Sequence, residues 1–361
     1  MRAVPDAGGD LAVRPAARRG GHMVHVLNTG GTISYGAPGA DGATLTHSPD
    51  QVLSALGTTA RIAYREVLRK GSVNMMPSDW QTIAAAARAA VAEGADGIVI
   101  LHGTDTMAFT AAALSFMLER LPVPVIFTGS MRPGGAPDSD APRNMRDAVR
   151  VAAAGDLAEV CIVFSRDAVG SGSLILRGNR SRKASATALN AFASPGYPPL
   201  GSLRGRVIRY GQAARQSRAR RGDVALSAEL NPNVCWIPYH PGCAPDFVAG
   251  ALARADGAVI AGTGLGHLPT DGGFLEAVRD SQKPVVLVSA CWHAQVRLGP
   301  YDIDRAILAT ENLIPGHDLT PEAAVVKLMW VLGREQALDR VRARMQEPIA
   351  GELTATSERV E

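Results

Sequence analysis

At 361 residues, 46% apolar and 20% charged, the chain has the composition of a globular protein with room for two domains, which excludes a disordered or fibrous polymer. No apolar run approaches the ~20 residues of a membrane helix, and a net charge of +3 names no partner by itself. The four cysteines, Cys161, Cys235, Cys243 and Cys291, are scattered and mostly lie in apolar runs, the pattern of reduced, buried thiols and not of a disulfide framework or a zinc site.

Residues 1–22 are rich in Ala, Gly, Pro and Arg without a helix or strand period and read as a disordered basic extension. Arg18-Arg19 suggests a twin-arginine signal, but no apolar stretch follows, so a cytoplasmic location is expected. An apolar strand over 23–27 then meets Thr29-Gly30-Gly31-Thr32. Paired glycines at a strand end serve either a tight turn or a close approach of backbone to ligand. In open α/β sheets ligands sit outside the carboxyl ends of strands, so the second role would present the Thr32 hydroxyl. A further polar stretch, "GSVNM", occupies 71–75.

"GIVIL" (97–101) is a continuous apolar strand that ends in "HGTDTM" (102–107), with a helix expected over about 106–120. "VPVIFTG" (123–129), a helix over 143–153 and "VCIVF" (160–164) continue the alternation, which predicts a mostly parallel sheet covered on both faces. Lys183 stands among small residues in "RSRKASATAL" (180–189). Pro, Gly and Arg then accumulate, and six arginines fall between 206 and 221 without an acid. This run reads as a solvated linker over 202–228, with a dock for an anionic partner as the sharper alternative. A second alternation follows: strands over 233–239, 257–262 and 284–290, a helix near 246–254, and a helix opened by Thr320-Pro321-Glu322 with cap, proline and acid in place. The organisation is α/β, with a larger N-terminal domain (23–201) carrying the catalytic groups and a smaller parallel-sheet domain (229–361). Cys291-Trp292-His293 has no second Cys/His pair at ligand spacing, so it reads as core packing and no metal is expected.

Chemistry collects at strand ends. Thr104 stands beside Asp105; one bland role for Asp105 or Thr106 is to cap the following helix. Capping does not explain hydroxyls at two separate strand ends. A threonine hydroxyl is a weak nucleophile that needs an activating group. A buried lysine beside Thr and Asp would serve, because burial lowers the ammonium pKa, and Lys183 is the candidate.

With "TGGTI" (29–33) and "HGTDTM" (102–107) in this order, followed by "TGSMRP" (128–133), the Lys183 region and "SPGYPPLG" (194–201), the chain resembles the bacterial and archaeal L-asparaginase/glutaminase family over about 23–333. The resemblance implies that Thr32 is the nucleophile and that Thr104, Asp105 and Lys183 form a second set assisting proton transfer. It implies that Asp105 also holds the substrate's α-amino group and Ser72 its α-carboxylate, beside Val73. Gly31 and Gly103 belong to the binding backbone, with N–H groups near Gly103 and Thr104 facing the oxyanion. Neither metal nor cofactor is implied, and the products are ammonia and a carboxylate. The partners implied are a small-molecule amide and further copies of the chain, as a dimer or a dimer of dimers. The apolar helix 323–332 offers the surface for that assembly.

Three departures stand out. The family's lid tyrosine is missing about a dozen residues after Thr32, where Ala43, Thr44 and Leu45 stand, and Tyr35, the nearby phenol, is the candidate to replace it as a catalytic residue. Val73 replaces a common glutamine, and Leu265 in "GTGLGH" (262–267) replaces an asparagine. That turn and 319–333 look more like the D subunit of the archaeal glutamyl-tRNA(Gln) amidotransferase, a branch that releases ammonia for a partner and would bring nucleic acid into play. Two further alternatives are weaker. An inactive binding protein on the same scaffold would not keep all of Thr32, Thr104, Asp105 and Lys183, and Gly262-x-Gly264-x-Gly266 lacks dinucleotide-loop spacing.

Overall fold

The computed structural model describes residues 21–34, 58–214, 224–293 and 295–354. The extension 1–20, Tyr35 and residues 43–45 lie outside the described residues, as do four of the six clustered arginines. Among the described residues the large sheet has eight strands. In chain order they are β1 (Met23–Gly30), β2 (Arg61–Lys70), β3 (Gly97–Leu101), β5 (Val125–Thr128), β6 (Val160–Ser165), β7 (Ser173–Arg177), β10 (Gly201–Arg204) and β11 (Val207–Tyr210). Two-residue strands form side ladders: β4 (Leu118–Glu119) pairs with β12 (Ala225–Leu226), and β8 (Arg182–Lys183) with β9 (Phe192–Ala193). Across the sheet the order is β11-β10-β7-β6-β5-β3-β1-β2. The strands from β6 to β2 run parallel, whereas β7, β10 and β11 are antiparallel.

The central strands are apolar throughout because both faces are covered. On β3, Ile98 and Ile100 pack with Trp80 and Ile83 of α1 (Pro77–Ala92) and with α2 (Met107–Met117), while Val99 and Leu101 pack against Met145, Ala148 and Val149 of α3 (Ala141–Ala154). The same alternation runs through β1 and β5. Register then decides where the chemistry goes. Asn28 lies opposite Leu101, and Leu101 opposite Thr128, so the loops leaving β1, β3 and β5 emerge side by side at one edge.

A second, four-stranded parallel sheet has the order β13 (Val234–Pro238), β14 (Gly257–Gly262), β15 (Val285–Ser289) and β16 (Leu313–Pro315). Its helices are α4 (Pro245–Arg254), α5 (Phe274–Asp280), α6 (Asp304–Leu308), α7 (Pro321–Leu332) and α8 (Leu338–Gln346). The start of α7 is built as its sequence suggests: the Thr320 hydroxyl accepts from the Ala323 N–H at 3.2 Å.

Three expectations are corrected. Every residue of α7 is buried, and Trp330 stacks near Phe116 of α2, so the helix belongs to the core and leaves no face for a neighbouring copy. Alanines 111–113 of α2 allow the two helices to come close. Cys291 and His293 are exposed on the turn after β15 and pack in no core, while Cys161 alone of the thiols is fully buried. Residues 201–210 form β10 and β11, with Leu203 buried beneath the sheet and Arg204 and Arg209 turned outward.

Candidate active site

Glycines bring three strand-end loops into contact. Gly30 and Gly31 have φ of +99° and +83°, a region open to glycine and costly for other residues. A Cβ on Gly31 would lie 2.2 Å from the Gly103 nitrogen, and one on Gly103 would lie 2.6 Å from the Ser72 Oγ. The turn after β1 is therefore stacked directly on the backbone after β3, and that backbone in turn lies against the Ser72 side chain of the 71–75 loop. Asn28 secures the turn by accepting from Gly30 N–H and Ser34 O–H, both at 3.1 Å, and Thr29 Oγ1 donates to the Leu101 carbonyl at 2.8 Å.

Thr32 is half-buried directly after that turn, and among the described residues its hydroxyl has no hydrogen-bond partner. Its carbonyl accepts from Gly134 N–H at 3.1 Å. Gly134 belongs to the loop after β5, which Asp140 and Asn144 hold. Asp140 accepts from the Met131 and Arg132 N–H groups, and Asn144 donates to Asp140 and to the Gly129 carbonyl. Neither Asp140 nor Asn144 was signalled by sequence; a helix-start aspartate looks the same whether or not it steadies a neighbouring loop.

Lys183 closes the cluster from the other side. Its Nζ donates to Thr104 Oγ1 at 2.8 Å and pairs with Asp105 Oδ1 at 2.6 Å. Thr104 is buried and the Lys183 side chain 19% exposed, whereas the Asp105 carboxylate is 57% exposed and open to a ligand. Ser72 is buried, and its Oγ accepts from Asp105 N–H at 3.3 Å. Val73 beside it is 70% exposed. Thr106 is the N-cap of α2, but its hydroxyl donates to the Ser72 carbonyl at 2.7 Å and caps nothing, so the capping role read from sequence gives way to a tie between loops. Leu265 is half-buried in the turn after β14.

His102 went unnoticed as a single residue. It is fully buried, and burial pushes its pKa down to about 4 while the Gly103 carbonyl pulls the other way. Nδ1 lies 2.7 Å from that carbonyl and Nε2 lies 3.0 Å from Thr110 Oγ1. The carbonyl can only accept, so the partners assign the hydrogen to Nδ1. Pinning Gly103 C=O turns the N–H of Thr104, across the same trans peptide, to the opposite side.

Among the described residues, no three His, Cys, Asp or Glu side chains are grouped to hold a metal, and no helix is long and apolar enough to cross a membrane. A cavity of about 310 Å³ lined by Glu119, Arg120, Arg344 and Glu347 involves none of the residues above.

Comparison with known proteins follows the same outline. Residues 23–216 match the family model "Asparaginase, N-terminal" and residues 233–345 the "Glutaminase/Asparaginase C-terminal domain". L-asparaginase of Thermococcus kodakarensis is 38% identical over 92% of this chain and 99% of its own length, and its solved structure superposes with a TM-score of 0.84, 36% identity and coverage of 92% and 100%. The D subunit of glutamyl-tRNA(Gln) amidotransferase from Halobacterium salinarum is 38% identical over 92% of this chain and 80% of its own length. A structure described as a probable cytoplasmic L-asparaginase from Campylobacter jejuni has 25% identity, a TM-score of 0.74 and coverage of 91% and 100%.

Proposed function

The chain belongs to the asparaginase family, hydrolases of linear amide C–N bonds, and from that premise we propose that it cleaves a side-chain carboxamide with Thr32 as nucleophile. The Thr32 oxygen attacks the amide carbon, and backbone N–H groups near Gly103 and Thr104 take the charge of the oxyanion. The Thr104–Lys183–Asp105 set relays the hydroxyl proton to the departing nitrogen, which leaves as ammonia. Water then opens the acyl ester and returns the proton to Thr32, giving the carboxylate. Each of these steps draws on the chain's own groups and water. The observation that carries this reading is the Lys183 ammonium bridging Thr104 and Asp105 where Gly31 closes on Gly103.

Ser72 takes the substrate's α-carboxylate, and the open side of Asp105 its α-amino end. Val73 and Leu265 offer no polar contact there, which favours a larger or α-substituted amide over free asparagine. The enzyme works in the cytoplasm, as the name of the Campylobacter relative suggests for that protein, and as a homodimer or dimer of dimers. The likeness to the Halobacterium amidotransferase chain supports a second reading, an ammonia-supplying subunit whose activity depends on a partner.

The test is ammonia release by the purified chain over asparagine, glutamine, N-acylated asparagine and amide-bearing peptides, for wild type and Lys183→Met. Turnover by the chain alone, lowered about 10²-fold or more in the variant with the pH dependence of the rate abolished, is expected. Near-native activity of Lys183→Met at neutral pH would overturn the role given to the lysine, and turnover only with a partner would favour the second reading.

A further inference from the structure

Lys327 and Glu352 are both fully buried, 2.6 Å apart, and the reaction uses neither. Burial pushes the Lys327 pKa down and the Glu352 carboxylate opposes that shift. The Lys327 ammonium also donates to the carbonyls of Met345 (2.9 Å) and Glu347 (2.6 Å), and Glu352 accepts from the N–H groups of Ile349 and Ala350. A buried pair of this kind is commonly no more stabilising than apolar side chains of equal volume, so its interest lies in what it holds. It fixes the turn 349–352 against α7.

That turn presents its carbonyls to one short segment. Gly351 C=O accepts from Arg177 Nη1 (3.2 Å) and Arg180 Nε (2.9 Å), and Ala350 C=O from Asn179 Nδ2 (3.1 Å). Arg180, 1% exposed, also pairs with Asp318 at 2.7 Å, and Asp318 accepts from the Thr354 N–H. The Tyr197 ring lies under both Arg177 and Arg180, at 5.0 and 4.4 Å. Arg182 pairs with Glu322 at 2.9 Å and covers Trp292. A Cβ on Gly351, where φ is +83°, would lie 2.8 Å from the Arg177 guanidinium carbon. The next residue in this segment is Lys183, whose own amine reaches across to Thr104 and Asp105.

We propose that residues 349–354, locked by the Lys327–Glu352 pair, are a positioning strut for Lys183, with Arg180 and Gly351 as its joint. The inference rests on the role given to Lys183 above. A lysine has four rotatable stem bonds, so the amine reaches both Thr104 and Asp105 only if its backbone is held still. Among the described residues Lys183 sits in a two-residue strand paired only with β9, and the arginine anchors supply the missing rigidity. The C-terminal half of the chain thereby controls the proton-transfer lysine of the N-terminal half.

The test measures kcat, KM, the pH–rate profile and the thermal midpoint of the full chain as wild type, Arg180→Lys, Gly351→Ala and Lys183→Met, on the amide that the wild type hydrolyses best. Arg180→Lys and Gly351→Ala are expected to lose about tenfold in kcat per folded molecule, with KM within threefold and the pH–rate profile displaced. Arg180→Lys added to Lys183→Met is expected to cause no further loss. A kcat within twofold of wild type in both single variants, or a loss with an unmoved pH–rate profile, overturns the strut. Near-native activity of Lys183→Met instead overturns the role of the lysine itself. If Arg180→Lys and Gly351→Ala do not fold, Asn179→Ala replaces them: a kcat loss of about threefold is expected, and a kcat equal to wild type overturns the proposal.

Discussion

Acid should loosen this fold through His102, and the size of the effect follows from its surroundings. The ring is fully buried, packs edge-on to Phe127 at 5.9 Å, and is shifted by burial and by the Gly103 carbonyl alone. Its folded pKa of about 4 lies below the ordinary 6.5. Between those values the unfolded chain binds a proton that the folded chain refuses, so stability falls as pH falls. The contribution is complete above about pH 6.5 and is lost progressively toward pH 4. At ~1.4 kcal/mol for each tenfold change in proton affinity, the fall from 6.5 to about 4 comes to ~3 kcal/mol. His102→Asn places an amide donor near the Nδ1 position and cannot titrate. Urea unfolding of both proteins at pH 7, 6, 5 and 4.5 should show the wild type losing about 2 kcal/mol or more relative to the variant. Parallel pH dependence in the two proteins would refute the assignment of a buried neutral imidazole.

Gly31→Ala should cut amide hydrolysis about 100-fold or more while leaving most of the fold intact, because a Cβ there meets the Gly103 backbone at 2.2 Å; rates within threefold of wild type, with circular dichroism as the folding check, would show that the close approach is not needed. Steady-state kinetics on free L-asparagine should give kcat/KM below about 10⁴ M⁻¹s⁻¹, the ordinary floor for an enzyme's own substrate, since loss of two polar contacts at ~1–3 kcal/mol each costs about one to four powers of ten; a higher value would mean that other groups hold the α-amino end. Light scattering at micromolar concentration should report a homodimer or tetramer; a fully active monomer would refute it.

The parallel core was legible because strands buried on both faces carry unbroken apolar runs, as "GIVIL" and "GAVIAG" do. The antiparallel strands β10 and β11 were hidden by Arg204, Arg206 and Arg209, whose charges belong to a sheet edge but read as a linker. Helix α7 misled in the opposite sense: its apolar length suggested a bare interface, yet alanine-rich α2 covers it. At the site, the glycine turn and the Thr104-Asp105 pair were visible as chemistry at strand ends. The bond from Lys183 to Thr104 spans 79 positions; the need for a lysine beside a Thr-Asp pair named Lys183 as the candidate, but no periodicity links residues that far apart, so spacing could not prove it. His102, Asp140 and the 349–354 turn left no mark, since their work is done on backbone carbonyls and N–H groups that any sequence possesses.

The claim that Thr32 is the nucleophile is tested most directly by peptide mass mapping of the wild-type chain, acid-quenched during turnover of its best amide. The substrate's acyl group is expected, as an ester, on the peptide that contains Thr32. An acyl group on the peptide that contains Thr104, with the Thr32 peptide unmodified, would contradict it.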